Sequence, residues 1–130
     1  MSIGTSATPL GKVRGLGAAG HGGAHWIEER FAAVALVPLS LWLIFSLIML
    51  PDLAQRTLAE WLRAPSAAVP MTLFVIAAFK HALDGTKVLI DDYAHDEGNR
   101  VGLRYLSAMA VIAGAALSLF ALAKIAFGAD

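Results

Sequence analysis

The chain has 130 residues, of which 58% are hydrophobic and only 15% are charged, and its mean hydropathy is +0.67. Soluble domains carry about 45–50% apolar and about 25% charged residues, so this composition favours a membrane protein over a small water-exposed globule. Ten Lys and Arg residues balance ten Asp and Glu residues, which leaves no basic excess for binding nucleic acid. The absence of cysteine excludes disulfides and Cys-ligated iron–sulfur clusters.

The first 23 residues are rich in glycine and show no hydrophobic period. They lack the apolar core of about 7–15 residues that defines a signal peptide, so we predict a flexible N-terminal tail. The stretch Gly15–Gly20 matches the dinucleotide-binding pattern G-x-G-x-x-G, but it follows no predicted strand and opens no periodic helix. The glycines between His21 and His25 argue against a helix that would join these two residues in a metal site.

Three apolar runs follow, and each is long enough to cross a membrane. The first covers residues 31–50, which at 1.5 Å per residue span about 30 Å, the thickness of the hydrocarbon layer. Pro38 lies inside this run and predicts a bend, and Pro51-Asp52 predicts its end. The second run covers about 70–90 and the third about 106–127. The sequence therefore predicts an all-α integral membrane protein with three transmembrane helices in one domain, residues 1–130.

The connection between the first and second spans has the spacing of an amphipathic helix. One face carries the apolar side chains, and the charged side chains point elsewhere, which is typical of a short helix lying in the membrane surface. The residues of the apolar face are Leu53, Thr57, Leu58, Trp61 and Leu62.

Basic residues are distributed unequally between the two sides of the predicted membrane domain. The N-terminal segment and the loop after span two share one side, which holds five of them (Lys12, Arg14, Arg30, Arg100 and Arg104). The other side holds three (Arg56, Arg63 and Lys124). The positive-inside rule therefore favours a cytoplasmic N-terminus.

The second span carries a cluster of ionisable residues. Each costs about 2.5–3.5 kcal/mol to insert, so such residues mark function or pairing. At 100° per residue, Lys80, Asp84, Lys87 and Asp91 fall within about 60° of one another and alternate in sign. We predict that they neutralise one another or pair with neighbouring subunits, and a proton or ion pathway is the alternative. The opposite side is apolar and can face lipid (Ala82, Leu83, Leu89 and Ile90).

His81 lies near the middle of this span. Its imidazole can ligate a metal or haem iron, and Gly85, one turn further on, removes a side chain where a flat macrocycle would approach. A histidine that only hydrogen-bonds between helices remains the alternative. Asp92 and Tyr93 follow the span, where a tyrosine also fits an ordinary aromatic belt. In span three, the small residues Ala110, Gly114 and Ser118 predict close helix packing.

The segment from His81 to Tyr93 reads HALDGTKVLIDDY and continues with Ala94-His95. It resembles the pattern H-A-x-x-G-x-x-x-V/L-x-x-D-Y of the hydrophobic membrane anchor subunit of succinate dehydrogenase (complex II), the smaller of its two anchors. The glycine-rich N-terminal stretch, His25-Trp26 and Arg30 resemble the bacterial form. Four residues depart from the family pattern: Asp84, Thr86, Lys87 and Ala32.

The resemblance implies a role for four residues. His81 matches the axial ligand of haem b, whose second histidine comes from the partner cytochrome b subunit. Tyr93 matches a tyrosine that hydrogen-bonds a ubiquinone carbonyl, and Asp92 matches the acid beside it. Arg30 matches a basic residue near the haem propionates.

The resemblance also implies a place in a complex. We expect a membrane-anchor domain in the bacterial inner membrane that works with a flavoprotein and an iron–sulfur subunit and has no activity alone. In succinate:quinone oxidoreductase it would help pass electrons from succinate to the quinone pool. The anchor of a quinol:fumarate reductase and a cofactor-free structural membrane subunit remain the alternatives.

Overall fold

The computed structural model describes residues 22–128, and for residues 22–26, 28 and 29 it describes the backbone alone. Four helices follow one another in chain order: α1 (Gly22–Ile48), α2 (Gln55–Arg63), α3 (Pro65–Tyr93) and α4 (Glu97–Ala126). This range contains no strand, which confirms the all-α prediction. α1 includes residues 22 and 23, which corrects the end of the predicted tail, and it continues through His25 despite the two glycines. The tail up to residue 21, the Gly15–Gly20 pattern and the side chains of His21 and His25 lie outside the description.

Three helices are long and apolar enough to cross a membrane: α1 from Arg30, α3 and α4. This confirms the predicted number of spans, but the helices are longer than the apolar runs of the second and third spans. α3 begins at Pro65, because proline suits the first turn, where its missing N–H costs no hydrogen bond. α4 begins at Glu97, because the Asp96 side chain caps it by accepting a 2.9 Å hydrogen bond from the Asn99 backbone N–H. α1 continues through Pro38 and ends at Ile48.

α3 is the central helix of the domain. It packs against α1 on one side and α4 on the other, and no described Cα atom of α1 lies within 8 Å of one in α4. The three spans therefore form an open layer rather than a closed bundle. α2 packs against α3 and α4, and the remaining surface of the layer is available to lipid or to neighbouring subunits.

The contact between α3 and α4 depends on a small residue. A Cβ atom added at Gly114 would lie 2.8 Å from Cε1 of Phe79, well inside van der Waals contact. The Ser118 hydroxyl, one turn later, donates to the Gly114 carbonyl oxygen at 2.8 Å. Gly114 thus admits the Phe79 ring, which confirms that the small-residue stripe of span three serves close packing.

α2 is the predicted amphipathic helix between the first two spans. Its Leu58, Trp61 and Leu62 side chains are half-buried, whereas Gln55, Arg56, Glu60 and Arg63 are exposed. Trp61 stacks on Trp42 of α1 with ring centroids 5.8 Å apart, which ties α2 to the end of the first span.

The segment that leads into α2 is held by Asp52. Its carboxylate accepts from the Thr57 hydroxyl at 2.5 Å and from the Ala54 backbone N–H at 3.0 Å. The Thr57 hydrogen bond, followed by the Ala54 hydrogen bond, lowers the pKa of Asp52 below its ordinary value, because both favour the charged form.

Few side chains are buried within this single layer. The buried apolar residues of the described chain are Ala32, Ala67, Ile90 and Leu122. Ile90 corrects the expectation that it faces lipid, since it is only 9% exposed. Ile90 lies one turn before the end of α3, where the chain turns back after three residues into the α4 helix that packs along α3.

Candidate functional site

A cleft of about 180 Å³ opens between α1 and α3. Its walls come from two helices, with the α3 residues at helical spacings that place them on one face. The lining residues are Arg30 and Ala33 from α1 and His81, Asp84, Gly85 and Val88 from α3. The structure therefore brings together Arg30 and His81, two of the residues singled out in the sequence.

His81 presents an exposed imidazole to this cleft. Among the side chains that the structure describes, neither ring nitrogen has a hydrogen-bond partner. A Cβ atom added at Gly85 would have nothing within 4 Å, so there is open space one turn away from the imidazole. The described residues contain no group of three His, Asp or Glu side chains that could hold a metal ion, and His81 is the one histidine that lines this cleft.

Asp84 is the buried acid of the cleft. Its residue is only 4% exposed, and its Oδ2 accepts a hydrogen bond from Lys80 Nζ. Lys87 Nζ lies 3.5 Å from the other oxygen, Oδ1, an ion-pair distance at which no hydrogen bond forms. The predicted neutralisation within α3 is thus confirmed for Lys80, Asp84 and Lys87. Asp84 Oδ1 is buried without a hydrogen-bond partner among the described residues.

The fourth charged residue of the stripe pairs with another helix. Asp91 accepts from the guanidinium group of Arg104 in α4, with 2.9 Å between Nε and Oδ1 and a second contact from Nη2. Arginine presents a rigid fork of donors to a carboxylate, which the single ammonium of Lys87 does not. The Asp91–Arg104 pair joins α3 to α4 near the turn.

Tyr93 and Asp92 are the last two residues of α3, and both are exposed, Tyr93 to 74%. Because the helix is continuous, His81 and Tyr93 are twelve positions apart, about 18 Å along the axis. The structure does not bring Tyr93 into the cleft of His81.

The turn beside Tyr93 is well hydrogen-bonded. The Arg100 guanidinium donates from Nε (3.2 Å) and Nη2 (3.1 Å) to the Ala94 carbonyl oxygen. His95 Nδ1 lies 3.0 Å from the Tyr93 carbonyl oxygen. These contacts satisfy carbonyl groups that the end of α3 leaves without helical partners. Together with Asp91–Arg104, they hold the end of α3 in place.

Sequence reasoning assigned Asp84 to the charged stripe and missed its place in the cleft with His81. The stripe and the histidine face are adjacent on a helical wheel, and only the packing of α1 on α3 shows which side chains share a cavity. The available signal was the spacing, because residues three apart on a helix are neighbours.

Comparisons with known proteins agree on one family. The family model described as succinate dehydrogenase/fumarate reductase transmembrane subunit matches residues 4–122. The succinate dehydrogenase hydrophobic membrane anchor subunit of Paracoccus denitrificans is 32% identical over 124 residues, which are 94% of each chain. The protein of the same name from Rickettsia bellii (strain RML369-C) is 32% identical over 82 residues, 63% of this chain and 66% of the relative.

Proposed function

This chain belongs to the succinate dehydrogenase/fumarate reductase transmembrane subunit family, and we propose that it helps to bind haem b and ubiquinone in a succinate:quinone oxidoreductase. It is a multi-pass membrane anchor subunit of the succinate dehydrogenase type. The observation that carries the proposal is the cleft in which Arg30 and His81 lie together, next to the open space at Gly85.

The residues of this cleft suit haem b. The His81 imidazole is an iron ligand, Gly85 leaves room for the edge of a planar ring, and the Arg30 guanidinium suits a propionate carboxylate. When bound, haem b supplies a one-electron carrier inside the membrane. His81 is the one histidine in the lining of this cleft, and the resemblance of residues 81–93 to the anchor family implies that a second histidine would come from the partner cytochrome b subunit.

The end of α3 suits ubiquinone. The Tyr93 phenol can donate a hydrogen bond to a quinone carbonyl, and the neighbouring Asp92 carboxylate can relay a proton from water. Both side chains are exposed at the end of the spanning helix, where water and a neighbouring subunit can reach them. In this proposal, α3 carries a residue for electron transfer near its middle and residues for proton transfer at its C-terminal end.

The proposal includes the rest of the complex. The given sequence has no cysteine that could hold an iron–sulfur cluster. The electrons would come from an iron–sulfur subunit and a flavoprotein subunit, the partners that the family resemblance implies. Arg100 and Arg104 lie at the end of the domain that carries Tyr93, and by the positive-inside rule this favours the cytoplasmic side for this end and for the N-terminus. The bacterial inner membrane is what the family resemblance implies.

The test is the visible spectrum of the purified complex with and without His81. We expect a reduced haem b band in the native complex. His81→Ala should abolish it or convert the haem to a high-spin form, because the described residues offer no other histidine at that depth. Trp61→Phe, which alters an aromatic residue of α2 away from the cleft, is the matched control.

Three outcomes separate the alternatives. A native complex without haem would contradict the proposal and support a cofactor-free structural subunit. An unchanged low-spin spectrum in His81→Ala would remove the ligand assignment. Faster quinol oxidation with fumarate than succinate oxidation with quinone would favour a quinol:fumarate reductase.

The pairing of Asp84 with Lys80 and Lys87 supports a neutralising cluster rather than a proton pathway.

A further inference from the structure

Asp84 has more cationic neighbours than neutralisation requires. One lysine balances one carboxylate, yet Asp84 lies between two, and its Oδ1 still accepts no hydrogen bond within the described chain. The Lys80 side chain lines a separate apolar groove of about 340 Å³ between α1 and α3, among residues such as Leu39 and Leu73. Asp84 therefore lines the cleft of His81, whereas its partner Lys80 does not.

We propose that the Asp84 carboxylate lowers the reduction potential of the haem that His81 binds, an inference that rests on the function proposed above. Asp84 follows His81 by three residues, so their Cβ atoms are about 5–6 Å apart on one helix face. The oxidised haem carries one more positive charge than the reduced haem, and a nearby negative charge therefore stabilises the oxidised form. Inside a membrane protein the low dielectric leaves this interaction little screened.

The neighbouring lysines act with the opposite sign. The Lys87 ammonium lies 3.5 Å from Asp84 Oδ1, so it offsets part of the negative field in the cleft. Removing the charge of Asp84 and removing the charge of Lys87 should therefore shift the potential in opposite directions. A residue that only stabilises the helix would not produce this pair of opposite shifts.

The experiment is redox potentiometry of the purified complex, followed through the absorption band of the haem. Asp84→Asn keeps the shape of the side chain and should raise the midpoint potential, whereas Lys87→Gln should lower it. The double variant should lie between the two single variants, and Asp84→Glu should stay near the native value. The control is Glu60→Gln, an exposed carboxylate in α2 that pairs with Arg56, which should leave the potential unchanged.

The outcomes distinguish this inference from the proposed function. A native complex without a haem band contradicts both. A normal band whose potential is the same in Asp84→Asn, Lys87→Gln and the control overturns the role of Asp84 alone, as do shifts of both variants in one direction. If the complex with Asp84→Asn does not assemble, Lys87→Gln and Asp84→Glu still test the inference. Lys87→Gln should lower the potential and Asp84→Glu should leave it near the native value. An unshifted or raised potential in Lys87→Gln overturns the inference.

Discussion

The middle of α3 and its C-terminal end each carry a paired carboxylate, but the cations that pair with the two carboxylates come from different helices. In the middle, Asp84 is buried and takes both of its cations from its own helix. At the end, Asp91 is exposed and takes its cation, Arg104, from α4. A charge within the hydrocarbon layer must be neutralised whichever helices pack around it. Residues three or four positions away on the same helix can supply the opposite charge. At the membrane surface water already solvates the charge, and the ion pair instead fixes one helix against another.

The largest effect that this contrast implies is at Asp84. Asp84→Leu leaves Lys80 and Lys87 without their shared anion in the membrane. Breaking a buried pair in this way should cost about 3–5 kcal/mol of the free energy of unfolding. The measurement is denaturant unfolding of the purified complex in detergent, followed by the helical circular dichroism signal.

The double variant Asp84→Leu/Lys87→Leu sharpens the test of the middle region. It removes one of the two uncompensated cations and should recover part of the lost stability. If the double variant is no more stable than Asp84→Leu, the three residues are not an energetic unit.

The second largest effect is at Tyr93. Tyr93→Phe removes one hydroxyl at the end of α3, and an unpaired quinone carbonyl costs about 1–3 kcal/mol. Quinone reduction should fall about tenfold, since 1.4 kcal/mol is a factor of ten. Haem content and succinate oxidation by an acceptor that bypasses the quinone should not change.

Tyr105→Phe is the matched control, because Tyr105 is another exposed tyrosine, 72% accessible, in the first half of α4. Quinone kinetics that are normal in both variants would leave Tyr93 as a residue of the aromatic belt. Asp92→Asn should reduce quinone reduction in the same sense, but less.

A smaller effect is expected at the exposed pair of the α3–α4 turn. Exposed ion pairs contribute about 0.2–1 kcal/mol, so Arg104→Gln should lower the unfolding free energy within that range. The charge exchange Asp91→Arg/Arg104→Asp should restore it. A loss of unfolding free energy as large as that of Asp84→Leu would show that the exposed Asp91–Arg104 pair contributes as much as the buried charges in the middle of α3.

The smallest effect concerns Asp52, which lies fully exposed before α2. Its lowered pKa means that it stabilises the folded chain above the pKa it has when unfolded, and that this contribution disappears as the pH falls through the folded pKa. Thr57→Ala removes the main cause, so the Asp52 pKa should rise toward its ordinary value. The measurement is a carboxyl NMR titration in detergent, and a pKa that does not move would contradict the hydrogen-bond explanation.

The sequence by itself was sufficient to predict the elements of this protein. Twenty uncharged residues at 31–50 and two further apolar runs predicted the spans, because crossing the hydrocarbon layer imposes both length and apolarity. The pairing of Asp84 with Lys80 and Lys87 was also predictable, since partners three and four residues away depend only on helix geometry. The resemblance of residues 81–93 to the anchor family agreed with the family match.

Tertiary structure decided which faces meet. Ile90 lies on the apolar side that the sequence assigned to lipid, but it is buried in the folded chain. Asp91 pairs with Arg104, thirteen residues away, rather than with Lys87. The cleft that unites Arg30 with His81 and Asp84 exists only because α1 packs on that side of α3. In a membrane the apolar surface of a helix can contact lipid or protein, so hydrophobicity does not determine which face packs against another helix. Shape complementarity determines it, as where Gly114 of α4 makes room for the Phe79 ring of α3. Such a fit is visible only once the two helices are placed side by side.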